Sequence, residues 1–152
     1  MARSTFVYET YIRSTPEQLW QALTTTELLK RCWMGASIES DWKVGSPWRA
    51  TSEDGCVFDS GEILESVPQK RLVMNWRNEW KPEFKAEGYS RCAYEIEPLG
   101  MAVKFTITHS IERPDSKFIA SVTPAWPMVM SNLKSLLETG GVALVENPRH
   151  TH

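Results

Sequence analysis

His109 stands where its surroundings in the sequence could give it chemistry. Val103, Phe105, Ile107, His109 and Ile111 fall on alternate positions, with Lys104, Thr106, Thr108 and Ser110 between them. Such alternation marks a half-buried strand, whose successive side chains point to opposite faces. The imidazole therefore shares an apolar face with Phe105 and Ile107. With an unperturbed pKa of about 6.5, a ring placed there can orient a polar ligand or move protons near neutral pH. It can equally be a core histidine tied to a neighbouring hydroxyl or carbonyl, as buried polar groups almost always are.

The same reasoning gathers aromatic and methionine side chains around it. Met74 and Trp76 share a face with Leu72, and Tyr94 shares one with Cys92 and Ile96. Trp126, Val129, Met130, Leu133, Leu136 and Leu137 follow the spacing of one helical stripe. Such a stripe is ordinarily core, but aromatic and Met walls also suit a ligand pocket. With Phe105, Ile107 and His109, the expectation is a ligand-binding cavity lined by Met74, Trp76, Tyr94, Trp126 and Met130. Its expected volume is the usual roughly 300–1,000 Å³, opening near the Asn78–Gly88 connection. On that view Trp20, beside Leu19 and Leu23, is a structural plug, while one side of the Trp126 ring faces open space.

Other groups are less committed. Glu62 and Glu65 compete for the inward position on their strand, and an inward Glu65 would pair with His109 or Arg49 as a proton-moving dyad. Tyr8, on the face of Phe6 and Ile12, offers a hydroxyl. No Gly-x-Gly-x-x-Gly, phosphate loop or serine elbow occurs, and the only clustered histidines are His150 and His152 in the tail. Neither a cofactor nor a metal is expected, and no residue is assigned a catalytic role.

The elements that position these side chains follow from period and punctuation. Phe6 to Arg13 alternates as a first strand. Thr15-Pro16-Glu17-Gln18 predicts a helix capped by Thr15 with Gln18 closing a capping box, and Thr26 predicts a second short helix. Strands are then predicted over Ser37–Trp42, Pro47–Ser52, Asp59–Ser66, Arg71–Arg77, Ser90–Glu97 and Met101–Ile111, with the polar Asn78–Gly88 segment a mobile flap. Thr123 and Pro124 open a long final helix that Gly140-Gly141 ends. One domain over residues 1–141 and a peripheral tail over 142–152 follow.

Composition limits the function. The chain has 152 residues, 41% hydrophobic and 24% charged, as expected of one globular domain without a membrane span. A net charge of −2 without a Lys/Arg run speaks against nucleic acid as a partner. Cys32, Cys56 and Cys92 form no Cys-x-x-Cys pair and read as free thiols. With no apolar leader at the N-terminus, the expected location is the cytoplasm. Seven tryptophans need housing in core, pocket or interface.

Four segments carry a resemblance. They are Thr15 to Leu23, Gly61 to Pro68 with Arg71 to Trp76, Phe105 to His109, and Trp126 with Asn132 to Glu138. In order and spacing the chain resembles the ATPase-activator-like subfamily of the START/SRPBCC superfamily, named after activators of the ninety-kilodalton heat-shock chaperone. The resemblance implies an α+β helix-grip (START/Bet v 1-like) fold: a curved antiparallel sheet wrapped around a long C-terminal helix, with two short helices after the first strand. Gly45-Ser46 and Gly100-Met101 depart from the family pattern at two turns. Fold alone does not give function. The leading expectation is a non-catalytic carrier of a small hydrophobic molecule. The alternatives are a polyketide-cyclase or hydrolase-type enzyme using the same cavity, and a chaperone-interacting module whose Trp42, Trp48 or Trp80 docks the partner; a homodimer is a further alternative.

Overall fold

A computed structural model describes residues 2–146 of the chain. Strand β1 (Ser4–Ile12) leads into two short helices, α1 (Pro16–Thr24) and α2 (Thr26–Cys32). The chain then meanders through β2 (Ser37–Ser40), β3 (Pro47–Thr51), β4 (Val57–Val67) and β5 (Arg71–Asn78). A single turn, α3 (Pro82–Lys85), precedes β6 (Ser90–Leu99) and β7 (Ala102–Ile111). Helices α4 (Lys117–Val122) and α5 (Ala125–Thr139) follow. The seven strands form one antiparallel sheet in the order β1-β7-β6-β5-β4-β3-β2, so that the first strand pairs with the last. The α5 stripe buries Trp126, Val129, Met130, Leu133 and Leu136 in one core with the inward strand residues. This is the expected α+β helix-grip arrangement.

Several local expectations are corrected. Thr15 caps α1 by accepting from Gln18 N at 3.1 Å, but the Gln18 side chain accepts from the Ser14 hydroxyl and leaves the box half closed. Thr25, not Thr26, occupies the α2 cap, without a side-chain bond. Thr123 does not open the long helix. Its hydroxyl donates to Ile119 O at 2.8 Å and so closes α4, a helix that periodicity does not reveal. Pro127 falls within the first turn of α5, where its missing N–H has no helical acceptor to lose.

The Asn78–Gly88 connection is pinned rather than free. Asn78 Oδ1 accepts from Trp80 N and Lys81 N, and the Glu87 carboxylate accepts from Lys117 N and the Ser116 hydroxyl. Glu79, which accepts from Arg77 and Ser60, has its carboxyl lowered to about 2, chiefly by the Arg77 hydrogen bonds. The beginning of the tail is also held. Buried Asn132 donates to Cys32 O and Leu144 O and accepts from Leu144 N. His150 and His152 lie outside the described residues.

Candidate functional site

The inward face of the sheet brings the expected site residues together. Met74, Trp76, Tyr94, Phe105, Ile107 and His109 are all buried there, opposite Trp126 and Met130 of α5. Trp76 is the hub. Its ring lies 4.4 Å from Trp48, 5.2 Å from His109, 5.5 Å from Trp126 and 5.9 Å from Trp33. Tilted and edge-on aromatic contacts of this kind are attractive beyond their area. The enclosed space left between Leu23, Leu29, Trp33, Trp48, Met74, Trp76 and their neighbours is about 10 Å³. That is about one water's worth. Among the described residues, the space at this spot is therefore far smaller than the expected cavity of ligand size, because four tryptophans converge under the helix.

His109 is fully occupied by its neighbours. Trp126 Nε1–H donates to Nδ1 at 3.1 Å, and since an indole N–H is only a donor, Nδ1 is unprotonated. The proton sits on Nε2, 2.8 Å from Ser90 Oγ, which in turn donates to Trp76 O at 2.9 Å. Burial lowers the imidazole pKa to about 3, so the ring stays neutral at physiological pH. The geometry is that of a structural histidine linking β6, β7, β5 and α5.

Neither glutamate faces inward. A bulge pairs Ile63 with Met74 but Glu65 with Val73, and the extra residue turns Glu65 outward to Arg71 at 3.1 Å and Arg91 at 3.4 Å. Glu62 and Arg49 are also exposed. No dyad with His109 forms. Of the tryptophans expected at the surface, Trp48 is buried, Trp42 is half-buried, and Trp80 is 62% exposed. Burial of Trp20 and Trp126 is the reverse of expectation: Trp126 is buried and Trp20 only partly so.

A buried carboxyl adds a group that the sequence pattern did not single out. Asp59 shares the inward side of β4 with Ile63, and burial pushes its pKa up to about 7. Asn78 Nδ2 donates to it at 3.0 Å. The Trp76 indole N–H also favours the carboxylate, without closing a hydrogen bond of normal geometry. Parity counted back from Ile63 was the available signal. Because the folded pKa of about 7 exceeds the unfolded 3.8, the folded chain holds a proton that the unfolded chain has lost in that window. This contribution to stability therefore falls as pH rises from about 4 to about 7. Asp59→Asn should be more stable than the parent by about 4 kcal/mol at pH 8 and by almost nothing at pH 4. Urea melts at both pH values check this. A pH-independent difference would mean that Asp59 titrates normally.

Beyond the core, a cleft of about 700 Å³ lies between the α2–β2 turn, the β3–β4 hairpin and the start of α5. Trp33 forms part of its wall and also of the small interior void. Among the described residues, no group of three His, Cys, Asp or Glu side chains could hold a metal, and no helix is long and apolar enough to cross a membrane.

Comparison places this architecture. The chain is similar to a protein from Mesorhizobium loti, at 26% identity with a TM-score of 0.76, covering 88% of this chain and 96% of that one. It is similar in fold to the Aha1 dimer from Colwellia psychrerythraea, at 22% identity and TM-score 0.73, covering 90% and 98%. An HSP90 activator from Plasmodium falciparum is likewise similar, at 22% identity and TM-score 0.72, covering 88% and 95%. A search of the curated proteins finds no match. The family model described as Activator of Hsp90 ATPase homolog 1-like protein matches residues 13–138, from just after β1 to the last turn of α5. Since that match takes in nearly every element that builds the tryptophan-filled grip, the chain belongs to the Activator of Hsp90 ATPase homolog 1-like family.

Proposed function

We propose that the chain acts by binding another protein, and that an Hsp90-type chaperone is the partner. Family membership supports the choice of partner, and the filled interior supports docking over carriage of a molecule inside the grip. The observation that carries the reading is Trp80. Its indole is 62% exposed, although the connection that bears it is pinned at both ends by Asn78, Glu79 and Glu87. Lys81 Nζ lies 5.6 Å from the ring. An exposed tryptophan on a hydrogen-bonded backbone, with a lysine beside its ring, is the kind of residue that dominates interfaces. An enzyme is not favoured, because His109 has both nitrogens bound within the fold.

The test is chaperone ATPase turnover and affinity with the full chain and with Trp80→Ala. The parent should bind and raise turnover. The variant should bind about 30-fold more weakly, equivalent to roughly 2 kcal/mol, with unchanged thermal stability. A chain that neither binds nor stimulates the chaperone removes this reading.

A further inference from the structure

The cleft at the open end of the grip has a chemistry that neither the packed core nor Trp80 accounts for. Its volume of about 700 Å³ lies in the range of small-molecule sites. Trp33, Met34, Phe58, Met128 and Val129 supply apolar, polarisable walls. Trp33 is braced from inside, its ring 5.3 Å from Trp126 and 5.9 Å from Trp76. The Met34 and Met128 side chains that line the cleft can adjust to the shape of an occupant.

The charge of the cleft has one sign. Glu53, Asp54 and Glu146 line it, and no lysine or arginine does among the described residues. Asp54 is held ionised, first by the Ser52 hydroxyl and then by the Cys56 N–H at 3.1 Å. Glu53 reaches from the β3–β4 hairpin across to the α2–β2 turn, where a Cβ on Gly35 would collide with its Oε1. No described cation pairs with it. Its carboxylate is therefore free to meet a charge in the cleft, and the Trp33 and Phe58 rings that line it favour a cation over an anion wherever their faces are offered.

We propose that this cleft binds a small organic cation, an ammonium group carried on an apolar body. The body lies against Trp33, Phe58 and Met128, and the ammonium is paired by Glu53. Trp80 does not line the cleft, and binding of a small cation is measured without the chaperone, so its failure is distinguishable from failure of chaperone binding.

Three compounds of one shape test it: 4-phenylbutylammonium, 4-phenylbutanol and 4-phenylbutyrate, titrated into the full chain by NMR with methionine methyl and indole signals as reporters. The ammonium compound should shift Met34, Met128 and Trp33. The alcohol should bind at least about fivefold more weakly, and the carboxylate weaker still, from the charge difference alone. Glu53→Gln should weaken the ammonium compound about fivefold and leave the alcohol unchanged. Glu53 is exposed, so the variant should fold like the parent, which its melting curve checks. Equal affinity for all three compounds, no binding of the ammonium compound, shifts confined to other parts of the molecule, or indifference to Glu53→Gln would each overturn the proposal.

Discussion

Gly61→Ala should unfold or nearly unfold the protein, with a loss of more than about 4 kcal/mol, although it adds one methyl group. Gly61 sits opposite Trp48 in the β3–β4 ladder, and the Trp48 indole crosses over it to donate to Asn75 O on β5 at 2.9 Å. A Cβ at position 61 would overlap that carbonyl oxygen and come within 2.6 Å of Trp48 Nε1 and 2.7 Å of Asn75 Oδ1. Asn75 Oδ1 is itself the acceptor for Glu62 N at 2.6 Å. The nearest neighbours are a backbone carbonyl and a buried ring, which cannot swing aside cheaply, and the Asn75 side chain could move only by giving up its bond to Glu62 N. Here glycine serves close approach rather than an unusual φ. The control is Gly141→Ala, where a new methyl meets nothing within 4 Å and φ is unexceptional; it should change stability by no more than about 0.5 kcal/mol. Urea denaturation of both variants decides. A Gly61→Ala protein within about 1 kcal/mol of the parent would mean that β4 and β5 separate easily at this point.

This packing also explains which features could be read from the sequence and which could not. Strand parity places Met74, Trp76, Tyr94, Phe105, Ile107 and His109 on the inner face, since alternation is a local property of each strand. The α5 stripe is legible for the same reason. Parity fails at Glu65 because one bulge residue, invisible in the pattern, turns the following side chains over. Helix α4 escapes notice because Ser116, its true cap, accepts from Ile119 N in a stretch too short to show a period. The volume of the grip is beyond local reasoning. Whether tryptophans line a hollow or fill it depends on Trp33, Trp48, Trp76 and Trp126 converging from the end of α2, β3, β5 and α5, and no spacing along the chain encodes that convergence.

Trp126→Ala puts that convergence to the test, and its cost should be at least about 4 kcal/mol, well above that of Trp20→Ala. Two effects add. Removing a buried aromatic ring leaves a cavity in its place, typically worth about 3–5 kcal/mol. The Trp126 ring packs against Trp33 at 5.3 Å, Trp76 at 5.5 Å, His109 at 6.0 Å and Tyr94 at 6.2 Å, and alanine reaches none of them. His109 Nδ1, whose only described donor is the Trp126 indole, would also be left buried without a partner, at about 1–3 kcal/mol unless water enters. Trp126→Phe separates the two effects, because it keeps most of the ring and loses the N–H, and should cost about 1–3 kcal/mol. Trp20 is only partly buried and borders an open surface groove, so its truncation should cost less than about 2 kcal/mol. The Trp126→Ala protein would then contain the aromatic-walled hollow that the native grip lacks, and added indole should bind there and recover part of the lost stability by mass action. Calorimetric melting of the variant with and without indole measures the gain. An unchanged melting temperature at millimolar indole, or a cost no larger than that of Trp20→Ala, would show that the surrounding rings collapse into the space and that the tryptophan cluster is adaptable rather than rigid.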